Sequence, residues 1–259
     1  MLIDDLIVLG RACPEPLKDG RVTVCLAGWS EKQGFIRIYP TRTDTKCHTW
    51  DVIRLEVERN ERDNRKESWK IVGSKGEWET LSEKIEVIGR VEKRDERRNI
   101  IGNLTDSCVN VINGERRSLG IIKPAEVLGK YFADNAGYGQ LMQMGLPGMT
   151  ELDSVKVKRD FPHEPRIRYR CPECQTEQGY HDQQILEWGF YEWFRKEPDK
   201  KDQVWENAQF DRDDIDIYLL VGNQAAHRTS FMVISVLRVP TGGVNVPLFP
   251  RIKIPDDLD

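Results

Sequence analysis

Short segments with alternating side chains, separated by turn residues, dominate the first half of the chain. Residues 22–28 and 34–39 flank a short polar turn, which is the pattern of a β-hairpin. Residues 51–59 alternate apolar and charged side chains, and residues 68–72 return as a strand after the charged loop 60–66. Strands this short, with turns at close intervals, predict a small closed or partly closed β-barrel.

The second half repeats this style with one clear helix. Its strand-like segments are residues 155–158, 166–171, 215–221 and 230–237. Apolar side chains three and four residues apart predict a helix over residues 182–196, which Pro198 ends.

The connecting region is predicted as helix over residues 81–93 and 124–132, and as strand over residues 108–112 and 119–122. We therefore expect a mainly β chain with some helix (α+β), built from two small barrels. The predicted units are residues 1–134, a Gly- and Met-rich connection over residues 135–154, and residues 155–259, which end in an acidic tail.

The composition is that of a globular protein. Of the 259 residues, 32% are charged and 39% are hydrophobic, and no apolar run approaches the roughly 20 residues that span a bilayer. The first residues lack the features of a signal peptide, so we expect a cytoplasmic protein whose six cysteines are thiols or metal ligands. The net charge of −4 argues against an extended DNA-coating protein and leaves a local basic face open.

A CxxC motif followed by a histidine is the main candidate for a binding site. Zinc prefers four tetrahedral ligands, and the spacing of Cys171 and Cys174 lets two thiolates hold one ion, with His181 close behind. We take His227 as the fourth ligand because it lies in a turn between two predicted strands. Alternatives for that position are Cys47, His48, Cys25 and His163. An unoccupied remnant of a metal site and a redox dithiol are the other interpretations.

Basic and aromatic residues could contact nucleic acid. Arg166, Arg168 and Arg170 alternate with apolar residues, so their guanidinium groups project from one face, where they could bind phosphates or simply be solvated. Five aromatic residues of the first half could form a base-stacking surface or pack in the core: Trp29, Phe35, Tyr39, Trp50 and Trp69.

Common catalytic motifs are absent from the sequence. It contains no Walker A loop, dinucleotide fingerprint, GxSxG or HExxH. The acidic residues between 211 and 216 could bind a divalent ion, as in a nuclease, or form a solvated loop. We expect no enzymatic activity.

Several short motifs resemble a known family. They are residues 24–28 (VCLAG), 34–37 (GFIR), 39–40 (YP), 50–55 (WDVIRL), 67–69 (ESW), the residues Cys171, Cys174, His181, Ile185, Glu187 and Trp188, and finally Gly222, Asn223, His227 and Phe231. Together they resemble the bacterial dual OB-containing domain proteins, which are associated with prokaryotic defence loci. The resemblance implies two OB-like β-barrels and a role linked to nucleic acid.

These observations lead to one main functional expectation and two alternatives. We expect a non-enzymatic module that binds single-stranded DNA or RNA, with structural zinc, as an accessory component of an antiviral or mobile-element defence system. A larger protein partner from the same locus is expected, and a membrane partner is not. The expected nucleic-acid contacts are Arg37, Arg54, Trp69, Arg166, Arg168 and Arg170. The alternatives are a scaffold that holds a partner enzyme through Trp188, Tyr191 and Trp193, and a metal-dependent nuclease.

Overall fold

The computed structural model describes residues 1–17, 19–74, 76–139, 155–174 and 176–241. The strands in these residues are β1 (Leu2–Arg11), β2 (Glu15–Pro16), β3 (Val22–Ser30), β4 (Gly34–Thr41), β5 (Asp51–Arg59), β6 (Ser68–Ile71), β7 (Glu86–Arg90), β8 (Thr105–Asp106), β9 (Leu119–Ile122), β10 (Glu126–Asp134), β11 (His163–Arg170), β12 (His181–Gln184), β13 (Ile215–Asn223) and β14 (Phe231–Pro240). The helices are α1 (Arg94–Leu104), α2 (Val109–Gly114), α3 (Trp188–Lys196) and α4 (Gln203–Asn207), and the 3-10 turns are Leu81–Lys84, Lys158–Asp160 and Pro198–Lys200. The prediction of a mainly β chain with some helix is confirmed.

Five strands of the first half close into a barrel. Their order is β1-β3-β4-β6-β5, and β5 pairs back with β1, where Leu55 lies opposite Ile3. All these pairings are antiparallel except that between β4 and β6, which is parallel. The predicted small closed barrel is therefore present in the first half.

Side-chain alternation along the strands explains why the barrel has a dry interior. In β5, Ile53, Leu55 and Val57 are buried, whereas Arg54 and Glu56 between them are exposed. Successive side chains of a strand point to opposite faces, so the apolar set fills the barrel and the charged set faces water. The alternation read from the sequence is thus present in this strand, and Val52 lies half-buried on the opposite face from Ile53, Leu55 and Val57.

The second half consists of two sheets. One has the order β10-β11-β12 and the other β14-β13-β9-β8, and a bridge between Ile185 and Val233 connects them. Helices α3 and α4 contribute Phe190, Tyr191 and Val204 to the core beneath these sheets. Among the residues that the structure describes, the strand pairings of these two sheets do not form a closed ring like that of the first half.

Strand pairing places the border between the halves earlier than the predicted residue 134. Strand β9 pairs with β13, and β10 pairs with β11, so both belong with the second half. The predicted connection over residues 135–154 lies largely outside the described residues, as does the acidic tail.

Several predicted elements have a different secondary structure. Residues 109–114 form helix α2 where a strand was predicted, and residues 126–134 form strand β10 where a helix was predicted. The predicted helix over 182–196 divides into β12 and α3, and that over 81–93 into a 3-10 turn and β7. A short apolar segment can form either a helix or a strand, and it becomes a strand where a neighbouring strand is available to pair with it.

The two halves share one hydrophobic core. The outer face of β3 and β4, including Ala27, Trp29 and Phe35, packs with residues of the second half such as Leu220 and Ile234. Trp50 lies in the same cluster and is buried. These aromatic side chains therefore pack at the junction of the halves, which is the second of the two interpretations drawn from the sequence.

We expect that replacing Gly28 with alanine will lower the free energy of unfolding by about 2–3 kcal/mol. A Cβ added there would overlap the backbone carbonyl oxygen of Ile7, on the strand paired with β3, and backbone cannot move aside cheaply. Gly129→Ala is the matched control, since an added Cβ there meets nothing within 4 Å. Urea denaturation measures both, and equal stability of the two variants would contradict the close approach.

Candidate metal centre and junction pocket

Two cysteines and one histidine form a compact buried cluster. The ligand atoms of Cys108, Cys171 and His181 all lie within 4.8 Å of one another, and Cys108 Sγ is 3.4 Å from His181 Nε2. Two thiolates on one tetrahedral zinc ion are separated by about 3.8 Å. The cluster therefore has the size and donor types of a zinc site.

The local fold brings these residues together. Cys171 directly follows β11 and His181 begins β12, and the antiparallel pairing of the two strands sets Tyr169 opposite His181. Cys108 precedes α2 as its N-cap, and its sulfur accepts a hydrogen bond from the Asn110 backbone N–H at 3.5 Å. A strand hairpin and a helix start thus face each other across the cluster.

Cys174 lies near this cluster of three and is the candidate for a fourth ligand. Its side chain is half-buried, its sulfur is 3.3 Å from Thr176 Oγ1, and the Cys108 thiol is near enough to contribute to the lowering of the pKa of Cys174. The Cys108 and Cys171 sulfurs lie within 4.8 Å of each other. Three cysteines and one histidine form a common ligand set of structural zinc, so the residues present fit this metal.

The environment determines the protonation of the ligands. Burial lowers the pKa of His181, which favours the neutral imidazole that metals bind. Burial raises the pKa of the Cys171 thiol. At Cys174, burial opposes a shift in which hydrogen bonds with Thr176 lower the pKa of the thiol. A bound metal ion would convert the thiols to thiolates and release their protons.

The predicted fourth ligand, His227, is not part of the cluster. It lies in the exposed turn between β13 and β14, and Cys108 occupies the position assigned to it. Nothing in the sequence around Cys108 signals this role, because the contact depends on where α2 packs. The alternatives also lie apart from the cluster: Cys47 is buried in the barrel core, and His163 contacts Asp134. Cys25 lies beside Arg37, and His48 is exposed.

The three nucleic-acid contacts predicted in the first half differ in their exposure to solvent and in the residues they contact. Arg37 is only 5% exposed and donates a hydrogen bond to the Ser118 carbonyl oxygen at 3.0 Å. It is therefore a structural residue, buried because the second half covers its face of β4. Arg54 is exposed and paired with Glu86. Trp69 is half-buried beneath the guanidinium group of Arg59, whose Cζ lies 3.7 Å from the ring centroid.

The three arginines of β11 face one side, as the alternation predicted. However, Asp182 on the neighbouring strand accepts hydrogen bonds from both Arg166 and Arg168, at 2.9 and 2.8 Å. Arg170 pairs with Glu126 at 2.7 Å. Acidic partners thus neutralise much of this basic strand.

The side chains of two other predicted sites, the acidic run between residues 211 and 216 and the aromatic surface of α3, already make contacts within the protein. Three carboxylates of the acidic run are bound by cations, namely Asp211 by Lys130, Asp214 by Arg212 and Asp216 by Lys123. A divalent ion would have to displace these cations. On helix α3 the three side chains proposed as a partner surface are engaged: Tyr191 is buried, Trp188 lies under Arg11, and Trp193 donates a hydrogen bond to the Lys200 carbonyl oxygen.

A basic pocket lies where the halves meet. Its volume is about 390 Å³, and it is lined by residues of the β5–β6 loop, the end of α2 and the β13–β14 turn. Four of these side chains are cations and three are amides. The lining residues are Asn64, Lys66, Asn113, Arg116, Arg117, Asn223 and Arg228. Sequence reasoning missed this site because its cations come from three separate segments.

Comparison with protein families divides the chain where its strand pairing does. One model, Domain of unknown function (DUF8758), matches residues 3–103, and another, Domain of unknown function (DUF8757), matches residues 109–253. No curated protein and no solved structure matches the chain. In the part of the chain that the structure describes, no helix combines the length and apolar character needed to cross a membrane. Since the second model covers more than half of the 259 residues, the chain belongs to the family DUF8757.

Proposed function

We propose that the chain is a zinc-stabilised module that binds single-stranded nucleic acid through an OB-like barrel. The barrel order supports the OB-like assignment: β1, β3 and β4 form a meander, and β6 and β5 return to close the ring beside β4 and β1. Five strands in a Greek-key arrangement are characteristic of OB-folds, many of which bind oligonucleotides. The resemblance to dual OB-containing domain proteins points in the same direction.

The observation that carries the proposal is the pair of exposed cations, Arg62 and Lys66, in the charged loop between β5 and β6. OB-folds bind strands with the face of their second and third strands and with two loops, one of which joins the fourth and fifth strands. Here the second half covers much of that face, and the loop remains accessible. Arg62 and Lys66 in this loop are exposed and, among the described residues, have no carboxylate partner.

An aromatic side chain lies next to this loop. Arg59 packs over Trp69 and donates a hydrogen bond to the Lys66 carbonyl oxygen at 2.5 Å. Cations that follow a backbone and aromatic rings on which bases stack are the two elements of sequence-tolerant strand binding. The proposed binding surface therefore consists of Trp69, Arg59, Arg62 and Lys66. Arg37 is excluded from it because its side chain is buried.

The wider role follows from the same proposal. The zinc ion would hold α2 against the β11–β12 hairpin and would perform no chemistry. We propose an accessory component of a prokaryotic defence system, with a larger protein partner, and this part rests on the family resemblance. The proposed cytoplasmic location rests on the lack of signal-peptide features in the first residues. No enzymatic step belongs to the proposal.

We expect that Arg62→Glu combined with Lys66→Glu will weaken binding to a labelled single strand at least about tenfold at low salt. The plot of log affinity against log salt should also become shallower by about 1.4, since two phosphate contacts are lost. Fluorescence anisotropy across a salt series, with DNA and RNA strands, measures both quantities.

The matched control for this double variant is Arg195→Glu with Lys196→Glu, which makes the same charge change on the exposed end of α3. It should have a small effect. Equal losses of affinity in the two double variants would show that the effect comes from the net charge of the protein and not from the loop. A protein that binds no strand at any salt concentration would contradict the proposal.

One observation favours the scaffold alternative. Strand β7 pairs only with β5 among the described strands, and it exposes Val87 and Ile88, at 44% and 38%. An open strand edge with apolar side chains can accept a strand from a partner protein. Failure of strand binding would leave this edge as the better supported functional surface.

A further inference from the structure

We propose that the junction pocket binds a terminal phosphate monoester, carried by a free nucleotide or by the end of a strand. The inference goes beyond the proposed function, because a free nucleotide would occupy the pocket whether or not the barrel loop binds a strand, although Lys66 belongs to both surfaces.

The positive charge of the pocket favours an anionic ligand. Among its cations, Lys66, Arg116 and Arg228 have no carboxylate partner in the described residues, whereas Arg117 is held by Asp106 and Glu115. Like charges gathered around one cavity repel each other and are relieved by a bound anion. Three unneutralised cations suit the dianion of a phosphate monoester better than the single charge of a phosphodiester.

The backbone at Arg116 is a second, independent indication. This residue follows helix α2 with a φ of 58°, in the left-handed region that favours glycine at helix ends. An arginine there costs free energy relative to glycine, and its exposed side chain recovers none of it through hydrogen bonds within the described chain. Gln209 has a similar φ of 60° outside the pocket, so the indication at Arg116 comes from the positive φ together with a place in the pocket lining.

A buried amide adds a requirement for the ligand. Asn223 is 3% exposed, and its Nδ2 donates a hydrogen bond to the Arg228 carbonyl oxygen at 2.7 Å. This bond fixes the amide orientation and leaves Oδ1 as an acceptor without a partner in the described residues. Asn223 lines the pocket, so a ligand with hydroxyl donors, such as the sugar of a nucleotide, suits this amide better than inorganic phosphate does.

The size and position of the pocket agree with this ligand. Its volume of about 390 Å³ lies within the roughly 300–1,000 Å³ of small-molecule sites. Its walls are joined across the halves, since Arg228 donates to Asn64 Oδ1 and Arg65 donates to the Asn223 carbonyl oxygen, both at 2.5 Å. A ligand seated there would contact both halves and stabilise their association.

The test is the variant Arg116→Gly, because glycine suits the left-handed backbone and the protein should fold at least as stably. Gln209→Gly is the matched control: Gln209 also has a positive φ, of 60°, and does not line the pocket. The probes are adenosine monophosphate against adenosine, and a short oligonucleotide with a phosphate at its 5′ end, at its 3′ end, or at neither. Isothermal titration calorimetry measures the affinity for each.

We expect at least one phosphorylated probe to bind about tenfold more tightly than its unphosphorylated counterpart. Arg116→Gly should remove this advantage and Gln209→Gly should keep it. Binding of the monophosphate identifies a free nucleotide as a ligand, and an advantage confined to one oligonucleotide identifies that strand end. The absence of any phosphate-dependent affinity, or an advantage unchanged in Arg116→Gly, would overturn the inference.

The two proposals fail in different ways. Oligonucleotides that bind equally well with and without a terminal phosphate, while adenosine monophosphate does not bind, would overturn the pocket and leave the barrel loop as the strand site. Binding of the monophosphate without binding of any oligonucleotide would support the pocket and contradict the proposed function.

Discussion

The variant Cys108→Ala is expected to lose stoichiometric zinc and about 4–5 kcal/mol of the free energy of unfolding. Cys108 is fully buried, and its sulfur lies 3.4 Å from His181 Nε2 and within 4.8 Å of the Cys171 sulfur. Removing it leaves three ligands around an ion that needs four, and α2 loses its attachment to the β11–β12 hairpin. Elemental analysis of protein purified under reducing conditions, followed by urea denaturation, measures both effects.

Cys13→Ala is the matched control for this variant. Cys13 is also buried and belongs to the same hydrophobic core, but it lies outside the metal cluster. It should keep its zinc and lose only about 1–2 kcal/mol from the small cavity. Cys174→Ala should reduce zinc content as Cys108→Ala does. A purified protein without zinc, or full zinc content in Cys108→Ala, would contradict the metal centre.

The variant Glu67→Ala is expected to lower the free energy of unfolding by about 3 kcal/mol. The Glu67 carboxylate is 9% exposed and accepts hydrogen bonds from the Ser118 backbone N–H at 2.8 Å and from its hydroxyl at 2.9 Å. Ser118 is fully buried, so the alanine variant leaves its donors without a partner and without water. Chemical denaturation measures the loss as a shifted midpoint.

Glu61→Ala serves as the control, since Glu61 is exposed in the same loop. It should change the free energy of unfolding by less than about 0.5 kcal/mol. Glu67→Gln should fall between the two, because an amide keeps one acceptor oxygen. If Glu67→Ala proved as stable as Glu61→Ala, the contact between the halves would be energetically unimportant.

The sequence predicts those features that depend on local pattern. Alternation in β5 separates Ile53, Leu55 and Val57 from the charged residues between them, and this is the arrangement observed in the barrel. Cys171 of the CxxC motif and His181 do come together in one cluster, and His181 lies at the start of strand β12. Period and spacing suffice for these predictions because they involve neighbouring residues.

Features that depend on how distant segments meet could not be predicted. Cys108 joins the metal cluster only because α2 packs on the hairpin, and Arg37 is buried only because the second half covers β4. Likewise, alternation places Arg166 and Arg168 on one face, but the register of β11 with β12 sets Asp182 between them. A single sequence holds no local signal for such contacts.

The shared core at the junction has a consequence for the evolution of the two units. Their family models meet between α1 and α2, so the units are separable along the chain, yet Ala27 and Phe35 of the first pack in one apolar cluster with Leu220 and Ile234 of the second. A gene that encoded only the first unit would leave a wide apolar surface in water. Such a gene could persist only with polar substitutions on that surface or with another protein to cover it, so selection ties the two units together.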